Sequence, residues 1–250
     1  MRIQISSWNA QGGFRYKSDY LGRHLNNRYY YNVLLVQEQG VPGTTGYALG
    51  EEFNIGKETY QCVLCETDET AKVFRCTTAI MVEEGLLGQI TDLGWHTESV
   101  SRPLCWINLW GILRIAGFHA VANDSLSVYE VRKMLGMLDA GDPPFWVFMG
   151  DFNSNPTRYP LYDTDLRARR INEIQYAGSH DRNQQYCNLL YSGEPTQGAD
   201  GNRDSELDFA FSSNSGVSIG GIQNRLVYRR FLDYPWPVSD HNMITVRASI

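Results

Sequence analysis

The sequence predicts an α/β (α+β) fold in which mixed β-sheets are covered by a few helices. Short apolar or alternating segments, typical of strands, recur along the chain, whereas only two longer segments have helical spacing. Polar residues follow directly on many of the predicted strands. No Pro-, Gly- and Ser-rich linker and no internal repeat interrupts the 250 residues, so a single domain over residues 1–250 is predicted.

Individual elements follow from local patterns. Strand patterns lie at Ile3–Asn9, Val33–Val36, around 58–65 and 73–82, at 104–110 and 112–118, at Phe145–Met149, at 207–211 and at 243–248. Helices are predicted from Asp19 to Tyr30, with Ser18 as the N-cap, and from Ser125 to Leu138. The polar stretch from about 177 to 205 is predicted to be a long loop.

Composition and charge restrict the class of protein. Hydrophobic residues make up 42% of the chain and charged residues 20%, which suits a sizeable core. The net charge of −6 argues against a broad basic surface for nucleic acid, but it is compatible with carboxylates that bind cations beside a phosphate. No membrane span is predicted, because the most apolar run, Leu104–Phe118, is shorter than the roughly 20 residues required.

The N-terminus bears on localisation. Met1 is followed at once by a strand pattern, so no signal peptide is expected in this sequence. The protein is therefore expected to be either cytoplasmic or a secreted protein given in its mature form.

Five cysteines leave at least one thiol unpaired within the chain. The spacing of Cys62 and Cys65 suggests a zinc or redox site, but the surrounding pattern predicts a strand. Residues three apart on a regular strand point to opposite faces, so these two thiols are not expected to share a metal. We interpret them as buried, structural cysteines.

The segment Gly150-Asp151-Phe152-Asn153 is the sharpest local signal for chemistry. If it is extended, Asp151 and Asn153 face the same way and Phe152 points into the core. A carboxylate beside an amide suits the orientation of an attacking water and the stabilisation of a charged phosphoryl group. Gly150 would allow another backbone to come close. The alternative is an Asx turn that ends a strand.

A second signal is Ser239-Asp240-His241, which borders the last predicted strand. There Asp240 could hold a divalent metal and His241 could contact phosphate; the alternative is a loop fixed by local hydrogen bonds.

Asp208 lies in an apolar strand, where a charge needs a partner. His241 is one candidate partner, and Arg203 or a backbone amide is the alternative.

Further polar residues stand at strand ends. Glu38 ends an apolar strand, a suitable position for a carboxylate that holds Mg²⁺, which prefers oxygen ligands. His119 ends another strand, where the alternative is a core histidine with its own partners. Since strand ends meet at the edge of a sheet, these polar residues predict a dispersed active site. Its candidate members are Asn9, Glu38, His119, Asp151, Asn153, Asp208, Asp240 and His241.

In this order the motifs resemble a known family. The matching segments are Trp8–Gly12, Val36–Glu38, Gly117–His119, Gly150–Asn153, Leu207–Phe209 and Ser239–His241. The chain resembles the endonuclease/exonuclease/phosphatase (deoxyribonuclease-I-like) superfamily and, within it, the catalytic component of cytolethal distending toxins. The resemblance implies a four-layer sandwich of two mixed β-sheets flanked by helices.

The resemblance also implies a metal site and a water-activating group. Glu38 would be the main Mg²⁺ ligand, with Asn9 and Asp240 beside it, and Mn²⁺ or Ca²⁺ could substitute for Mg²⁺. Asp151 would orient or deprotonate the attacking water. Asn153 would support the pentavalent phosphate.

Further roles concern the charge that develops on the phosphate. By the same resemblance, His119, together with His241 paired to Asp208, would stabilise that charge or protonate the leaving oxygen. Arg75 and Arg102 match arginines that hold flanking phosphates in the toxin family.

Three functions follow from these patterns and the resemblance. The first is a DNA-nicking endonuclease, the active part of a secreted toxin with delivery subunits that acts in the nucleus of a target cell. The second is a phosphatase of phosphoinositides or of another small phosphate ester on the same fold. The third is a catalytically dead binding module, which the joint retention of the candidate site residues disfavours.

Overall fold

A computed structural model describes most of the chain. The described residues are 1–25, 29–66, 78–97, 102–159, 170–175, 186–193, 196–197, 205–213, 218–219, 223–225, 239 and 241–249. In chain order the strands are β1 (Arg2–Asn9), β2 (Tyr31–Gln37), β3 (Glu52–Ile55), β4 (Glu58–Glu66), β5 (Thr78–Glu83), β6 (Ile90–His96), β7 (Leu104–Leu109), β8 (Leu113–His119), β9 (Phe145–Asp151), β10 (Arg170–Gln175), β11 (Tyr186–Leu190), β12 (Asp208–Ser213), β13 (Ser218–Ile219), β14 (Gln223–Arg225) and β15 (Met243–Ser249). The helices are α1 (Phe14–Lys17), α2 (Gly22–Leu25) and α3 (Asp124–Ala140), and 3₁₀ turns lie at Ser18–Leu21, Glu84–Gln89 and Pro156–Arg158.

The strands form two mixed sheets. The first sheet has the order β13-β15-β1-β2-β5-β4-β3, with β14 also paired to β15, and the second has the order β10-β11-β12-β9-β8-β7-β6. Within these sheets β1 pairs with β2 and β8 with β9 in parallel, whereas the other described pairs are antiparallel. The predicted mixed-sheet architecture is therefore confirmed.

Three apolar clusters define the four layers. Between the sheets, residues such as Ile5 and Val33 of the first sheet pack with Ile115 and Val147 of the second. Residues of α3 cover the outer face of the second sheet together with a group of aromatic rings. The segment from Phe14 to Leu25 covers the outer face of the first sheet. The predicted four-layer sandwich is the observed fold.

The face of β1 that looks toward the second sheet changes from apolar to polar along the strand. Ile3 and Ile5 are buried in the core between the sheets, and Ser7 and Asn9 continue the same face by strand alternation. Ser7 exchanges hydrogen bonds of 3.1 and 3.3 Å with the side chain of Gln37 on the neighbouring β2. A buried polar layer thus lies at the end of the sheets where the strands β1 and β2 terminate.

Helix α3 confirms the prediction for residues 125–138. It begins after Asn123, whose side chain accepts a hydrogen bond of 3.2 Å from the amide of Leu126, the usual N-cap interaction. Val131 and Leu135 are among the residues that bury its inner face. Among the residues described, no helix has both the length and the apolar character of a membrane span.

The predicted helix from Asp19 to Tyr30 is wrong as a continuous element. The chain instead forms α1, a 3₁₀ turn and α2 in succession, after Gly13 in the left-handed conformation with a φ of 68°. Ser18 does not cap a helix; its hydroxyl lies 3.0 Å from the hydroxyl of Tyr47. Contacts of Phe14, Leu21 and Leu25 with the first sheet, rather than helical periodicity, set these short turns.

The loop predicted from 177 to 205 is wrong over Tyr186–Leu190, which forms β11 between β10 and β12. Cys187 and Leu189 are buried on the outer face of the second sheet, while the side-chain Nδ2 of Asn188 donates to the carbonyl of Ser213 at 3.2 Å. This strand was missed because its alternation is brief and lies within a polar stretch. Strands β3, β6, β10, β13 and β14 were also not predicted.

The opposite-face argument for Cys62 and Cys65 is wrong. The register of β4 against β5 shifts between Cys62 and Leu64, so one extra residue enters the strand. Cys62 pairs with Met81 and Cys65 pairs with Ala79, and both thiols pack on the outer face of the first sheet. The bulge therefore brings the two cysteines to the same face.

Gly150 provides a test of how closely β8 and β9 approach. A Cβ at this position would lie 1.8 Å from the carbonyl oxygen of Phe118, so Gly150→Ala must displace one strand. We expect the free energy of unfolding to fall by about 1–3 kcal/mol or more, measured by urea denaturation.

Gly136 is the matched control, because a Cβ there meets no atom within 4 Å inside α3. Gly136→Ala should raise the free energy of unfolding by about 0.5–1 kcal/mol. Equal stability of the two variants would contradict the close approach at Gly150.

Candidate active site

Three candidate residues stand side by side on the second sheet. In the parallel pair β8–β9, His119 is opposite Asp151, and in the antiparallel pair β9–β12, Asp208 is opposite Asp151. Residues that are directly paired point to the same face of a sheet. All three side chains are buried. The register of three strands thus aligns His119, Asp151 and Asp208 in one row.

The first sheet contributes Asn9 and Glu38 from the ends of β1 and β2. Asn9 pairs with Gln37, the residue before Glu38. The Nδ2 of Asn9 donates to the Oδ2 of Asp151 at 2.9 Å, which links the two sheets. Glu38 has a φ of 50°, in the left-handed region that non-glycine residues rarely adopt, and its side chain is 14% exposed. The strand ends of both sheets therefore meet at one place.

The Oδ2 of Asp151 is the common point of the cluster. Besides Asn9, His119 Nε2 lies 3.5 Å and His241 Nε2 lies 3.7 Å from this oxygen. Each ring also lies near another carboxylate: Glu38 Oε1 is 3.7 Å from His119 Nε2, and Asp208 Oδ2 is 2.9 Å from His241 Nδ1. Asp208 and His241 are thus within hydrogen-bond distance, as in the pairing suggested by the sequence.

Burial controls the ionisation of this cluster. Burial, with a further contribution from the charge of Asp208, raises the pKa of Asp151 to about 7, against the opposing effects of His241 and Asn9. Burial also lowers the pKa of His119 well below its ordinary value, and the neighbouring Arg102 and His241 act in the same direction. Near neutral pH, His119 is therefore uncharged and Asp151 can take up or release a proton.

Asn153 is arranged differently from the extended segment that was predicted. Its φ is 48°, and its backbone amide donates to Asp151 Oδ1 at 3.0 Å, which is the Asx turn considered as the alternative. Its side-chain Nδ2 donates to the carbonyl of Ala120 at 2.8 Å. Phe152 is fully buried among aromatic rings, as predicted. The turn therefore connects Asp151 to the segment that follows His119.

Arg102 lies at the same edge of the site. Its Nη1 donates to the carbonyl of Ala120 at 2.8 Å, so this one oxygen accepts hydrogen bonds from both Arg102 and Asn153. Its charge is close enough to His119 to lower the pKa of that imidazole. Arg75 and Asp240, the other two predicted members, lie outside the described residues.

The sequence assigned no role to Ser239. In the structure its side chain connects the end of β1 to His241. Its hydroxyl donates to the carbonyl of Asn9 at 2.6 Å and accepts from the amide of His241 at 3.0 Å. The indole Nε1 of Trp8 donates to the carbonyl of His241 at 3.0 Å. These bonds hold His241 to the end of β1. The only sequence signal was the occurrence of Trp8 and Ser239 within the motifs.

Thr196 supports the segments that carry Asp208 and His241 in a similar way. Its buried Oγ1 accepts hydrogen bonds of 2.9 Å from the backbone amides of both Leu207 and Asp208. Its carbonyl accepts one of 2.7 Å from the amide of Asn242, next to His241. Thr196 therefore connects the two segments that carry Asp208 and His241.

Two sets of residues bear on metal binding. Ligand atoms of Asp151, Asp208 and His241 all lie within 4.8 Å of one another. This set forms a hydrogen-bonded array, because Nδ1 of His241 faces Asp208 and an N–H of Asn9 points at Asp151, which opposes a cation there. Glu38 and the Oδ1 of Asn9 instead offer the oxygen donors that suit Mg²⁺. Oδ1 of Asn9 also accepts a hydrogen bond of 3.0 Å from the backbone amide of Gln11, so the predicted pair fits such an ion by donor type.

Comparisons with known proteins agree with the fold. A family model described as "Endonuclease/Exonuclease/phosphatase family" matches residues 6–241. No curated protein sequence matches the chain. A crystal structure of cytolethal distending toxin from Actinobacillus actinomycetemcomitans is similar with a TM-score of 0.60 and 18% identity, covering 98% of this chain and 97% of that one.

Two further solved structures are similar over nearly their whole length. TDP2 of D. rerio, humanized by 14 mutations, has a TM-score of 0.61 and 12% identity, covering 100% of this chain and 99% of that one. A mannosyl-6-phosphatase of Bacteroides thetaiotaomicron has a TM-score of 0.59 and 14% identity, covering 99% of this chain and 100% of that one. At such identities the likeness concerns the fold alone.

Ser239→Ala tests the support of His241. The change leaves the carbonyl of Asn9 and the amide of His241 without their shared partner in a buried place. We expect the free energy of unfolding to fall by about 1–3 kcal/mol in thermal or urea denaturation.

Ser125→Ala is the control, because Ser125 is exposed on α3. It should change the free energy of unfolding by less than about 0.5 kcal/mol. If Ser239→Ala is as stable as this control, the hydroxyl does not support the site.

Proposed function

Because the chain belongs to the endonuclease/exonuclease/phosphatase family, whose members hydrolyse phosphoric esters, we propose that it is a Mg²⁺-dependent phosphodiesterase that nicks DNA. The observation that carries the proposal is the convergence on Asp151 Oδ2 of Asn9 at 2.9 Å, His119 at 3.5 Å and His241 at 3.7 Å. Side chains from distant strand ends are thus brought to one point, which a hydrolytic site requires and a purely structural cluster does not.

In this proposal Asp151 accepts a proton from the attacking water. A general base works best when its pKa is close to the working pH, and burial raises the pKa of Asp151 to about 7. The hydrogen bonds from Asn9 and from the amide of Asn153 hold the carboxylate in one orientation. The attacking water would therefore meet a fixed base.

The two histidines would act on the phosphoryl oxygens. His119 is neutral because burial lowers its pKa, and its Nε2, which faces the carboxylates of Glu38 and Asp151, would donate a hydrogen bond without adding charge. Asp208 holds Nδ1 of His241 at 2.9 Å, which directs the other nitrogen of that ring toward Asp151 and the substrate. Asn153, tied to Ala120, would support the phosphate from the adjoining turn.

Glu38 and Asn9 would hold the metal ion, with Asp240 as the proposed third ligand. When bound, Mg²⁺ supplies positive charge that polarises a phosphoryl oxygen and stabilises the leaving oxygen. Mn²⁺ or Ca²⁺ could occupy the same oxygen donors. The nearby carboxylates require such a cation before a phosphate anion can approach.

A phosphatase of phosphoinositides or of another small phosphate ester is the second candidate. The net charge of −6 and the likeness in fold to a mannosyl-6-phosphatase favour it, whereas Arg102 at the site edge favours a polymer with flanking phosphates. Fold alone does not decide between them, because one fold serves many substrates.

The central experiment uses supercoiled plasmid with Mg²⁺, with and without EDTA. We expect nicking by the wild type only in the presence of the metal, and a loss of roughly 10²-fold or more in His241→Ala and in Asp151→Ala, which remove a charge-stabilising group and the base. Gel analysis of the relaxed form measures the rate.

His24→Ala is the matched control, because His24 lies on α2, where its carbonyl accepts from Gln4 near the start of β1, whereas the cluster lies at the end of that strand. It should nick at the rate of the wild type. If the wild type leaves the plasmid intact but releases phosphate from an inositol lipid, the result would support the phosphatase instead. Inactivity on both substrates would contradict both.

Arg102→Ala tests substrate size. The loss of a guanidinium that contacts a flanking phosphate should lower kcat/KM for DNA by roughly tenfold or more, while hydrolysis of a small phosphodiester changes little. Arg102→Lys should recover part of the DNA activity, since it keeps the charge but not the planar donors.

Arg23→Ala, at an exposed position on α2, is the control for loss of a positive charge. Thermal denaturation of each variant separates a loss of contact with DNA from a loosening of the Ala120 segment. If kcat/KM falls equally for DNA and for the small phosphodiester, Arg102 does not contribute to DNA recognition.

A further inference from the structure

Two thiols and a buried amide lie together behind the turn that carries Glu38. We call the group of Gln39, Tyr47, Cys62 and Cys65 the thiol cluster. The Nε2 of Gln39 donates to Cys65 Sγ at 2.8 Å and to the carbonyl of Tyr47 at 3.2 Å. The Sγ of Cys62 lies 3.7 Å from that same carbonyl and 3.6 Å from the carbonyl of Leu64. The bulge in β4 places both sulfurs on the face where Gln39 lies.

The two thiols differ in exposure and in ionisation. Cys62 is fully buried, whereas Cys65 is partly exposed. A hydrogen bond from the Cys62 thiol, together with the one from Gln39, lowers the pKa of Cys65. The same thiol–thiol bond, with burial, raises the pKa of Cys62. Cys65 is thus the nucleophile of the pair, since the thiolate is the reactive form.

Cys105 provides the contrast. It is fully buried between the sheets, and burial raises its pKa well above the ordinary value. A buried, protonated thiol in apolar surroundings is inert. The thiol cluster differs: Cys65 is partly exposed, an N–H donor of Gln39 is directed at its sulfur, and the sulfur of Cys62 lies on the same face.

We propose that Cys65 is a thiol-modification site that reacts with small disulfides such as oxidised glutathione, and that Cys62 then closes an intramolecular Cys62–Cys65 disulfide. The first step rests on the contact of Cys65 with Gln39 and on its exposure; the second rests on the adjacent thiol on the same face.

The chemistry balances as two thiol–disulfide exchanges. The Cys65 thiolate attacks one sulfur of the small disulfide, whose S–S bond breaks, and one small thiolate leaves. Cys62 loses its proton to solvent and attacks the Cys65 sulfur of the mixed disulfide, which expels the second small thiolate. Both leaving thiolates are protonated. The two protein thiols are oxidised, and the small disulfide is reduced to two thiols.

Modification would act on the turn of Glu38 through Gln39. The side chain of Gln39 is fully buried, and its Oε1 also accepts from the amide of Tyr47 at 3.0 Å. A disulfide sulfur is only a weak acceptor, so oxidation should weaken the hydrogen bond from Gln39 to Cys65. Glu38 has left-handed backbone geometry, which persists only where the surroundings hold it. Oxidation should therefore loosen the turn that presents Glu38.

The thiol reaction is independent of the proposed function, whereas its effect on DNA nicking rests on that function. The first test incubates the intact protein with oxidised glutathione, alkylates the remaining thiols after denaturation and digests with trypsin. The peptide between Lys57 and Lys72 contains Cys62 and Cys65 and no other cysteine. Mass spectrometry should find it with an internal disulfide and neither thiol alkylated.

Single variants separate the two steps. Cys62→Ser should retain glutathione on Cys65, and Cys65→Ser should leave Cys62 reduced. Cys105→Ala, which removes the inert thiol, should behave as the wild type. Full alkylation of both Cys62 and Cys65 in the wild type after this treatment would overturn the proposal, as would glutathione found on Cys62 in Cys65→Ser.

Amide hydrogen exchange tests the link to the Glu38 turn. Exchange in residues 38–47 should become roughly tenfold faster on oxidation, the factor expected for losing one hydrogen bond. Gln39→Met should show the faster exchange already in the reduced protein and no further change on oxidation. A disulfide that forms without altering exchange would overturn the link to Glu38.

Plasmid nicking by the same samples separates the two proposals. If the disulfide forms and exchange rises but the reduced protein does not nick DNA, only the proposed function fails. If the reduced protein nicks DNA and the oxidised protein nicks at the same rate, only the coupling to Glu38 fails.

Discussion

Asn9 and Asp151 belong to different sheets, and the 2.9 Å hydrogen bond between their side chains lies where the two sheets end together. Asp151 is buried, so its carboxylate needs partners that take the place of water. Asn9 supplies one from the first sheet, and the amide of Asn153 supplies another from the following turn. The rest of the site is arranged around this carboxylate, because His119 and His241 both approach the same oxygen.

Strand register makes this arrangement possible and also restricts it. His119, Asp151 and Asp208 face one side only because β8, β9 and β12 are paired in the observed register. A slip of one residue in either pair would turn a polar side chain to the outer face and an apolar one to the site. The close approach of Gly150 to Phe118 excludes side chains at the very point where that register is set. The packing of the core and the positions of the site residues therefore depend on the same strand register.

Rigidity under the site comes from polar groups that bond to one another. Ser7 and Gln37 bond to each other beneath Asn9, and Ser239 joins the end of β1 to His241. Such supporting hydrogen bonds hold functional side chains in a fixed orientation before a substrate binds. The electrostatics follow from the same burial: His119 stays neutral, and the positive charge of Arg102 lies close to it. Proteins named as a toxin and as a phosphatase share this fold, so the fold alone does not set the substrate.

The sequence by itself determined the class of fold and most of its strands, because alternation and apolar runs are local properties that a strand preserves wherever it is placed. It also identified the polar residues at strand ends, since the motifs around Glu38, His119 and Asp151 are short and contiguous. Only the tertiary structure decided that these residues share one oxygen of Asp151, that the polar segment near Cys187 is a strand, and that Cys62 and Cys65 face the same way. Bulges, register and hydrogen bonds such as that of Ser239 to Asn9 depend on partners far away in the chain, and no local pattern encodes the partner.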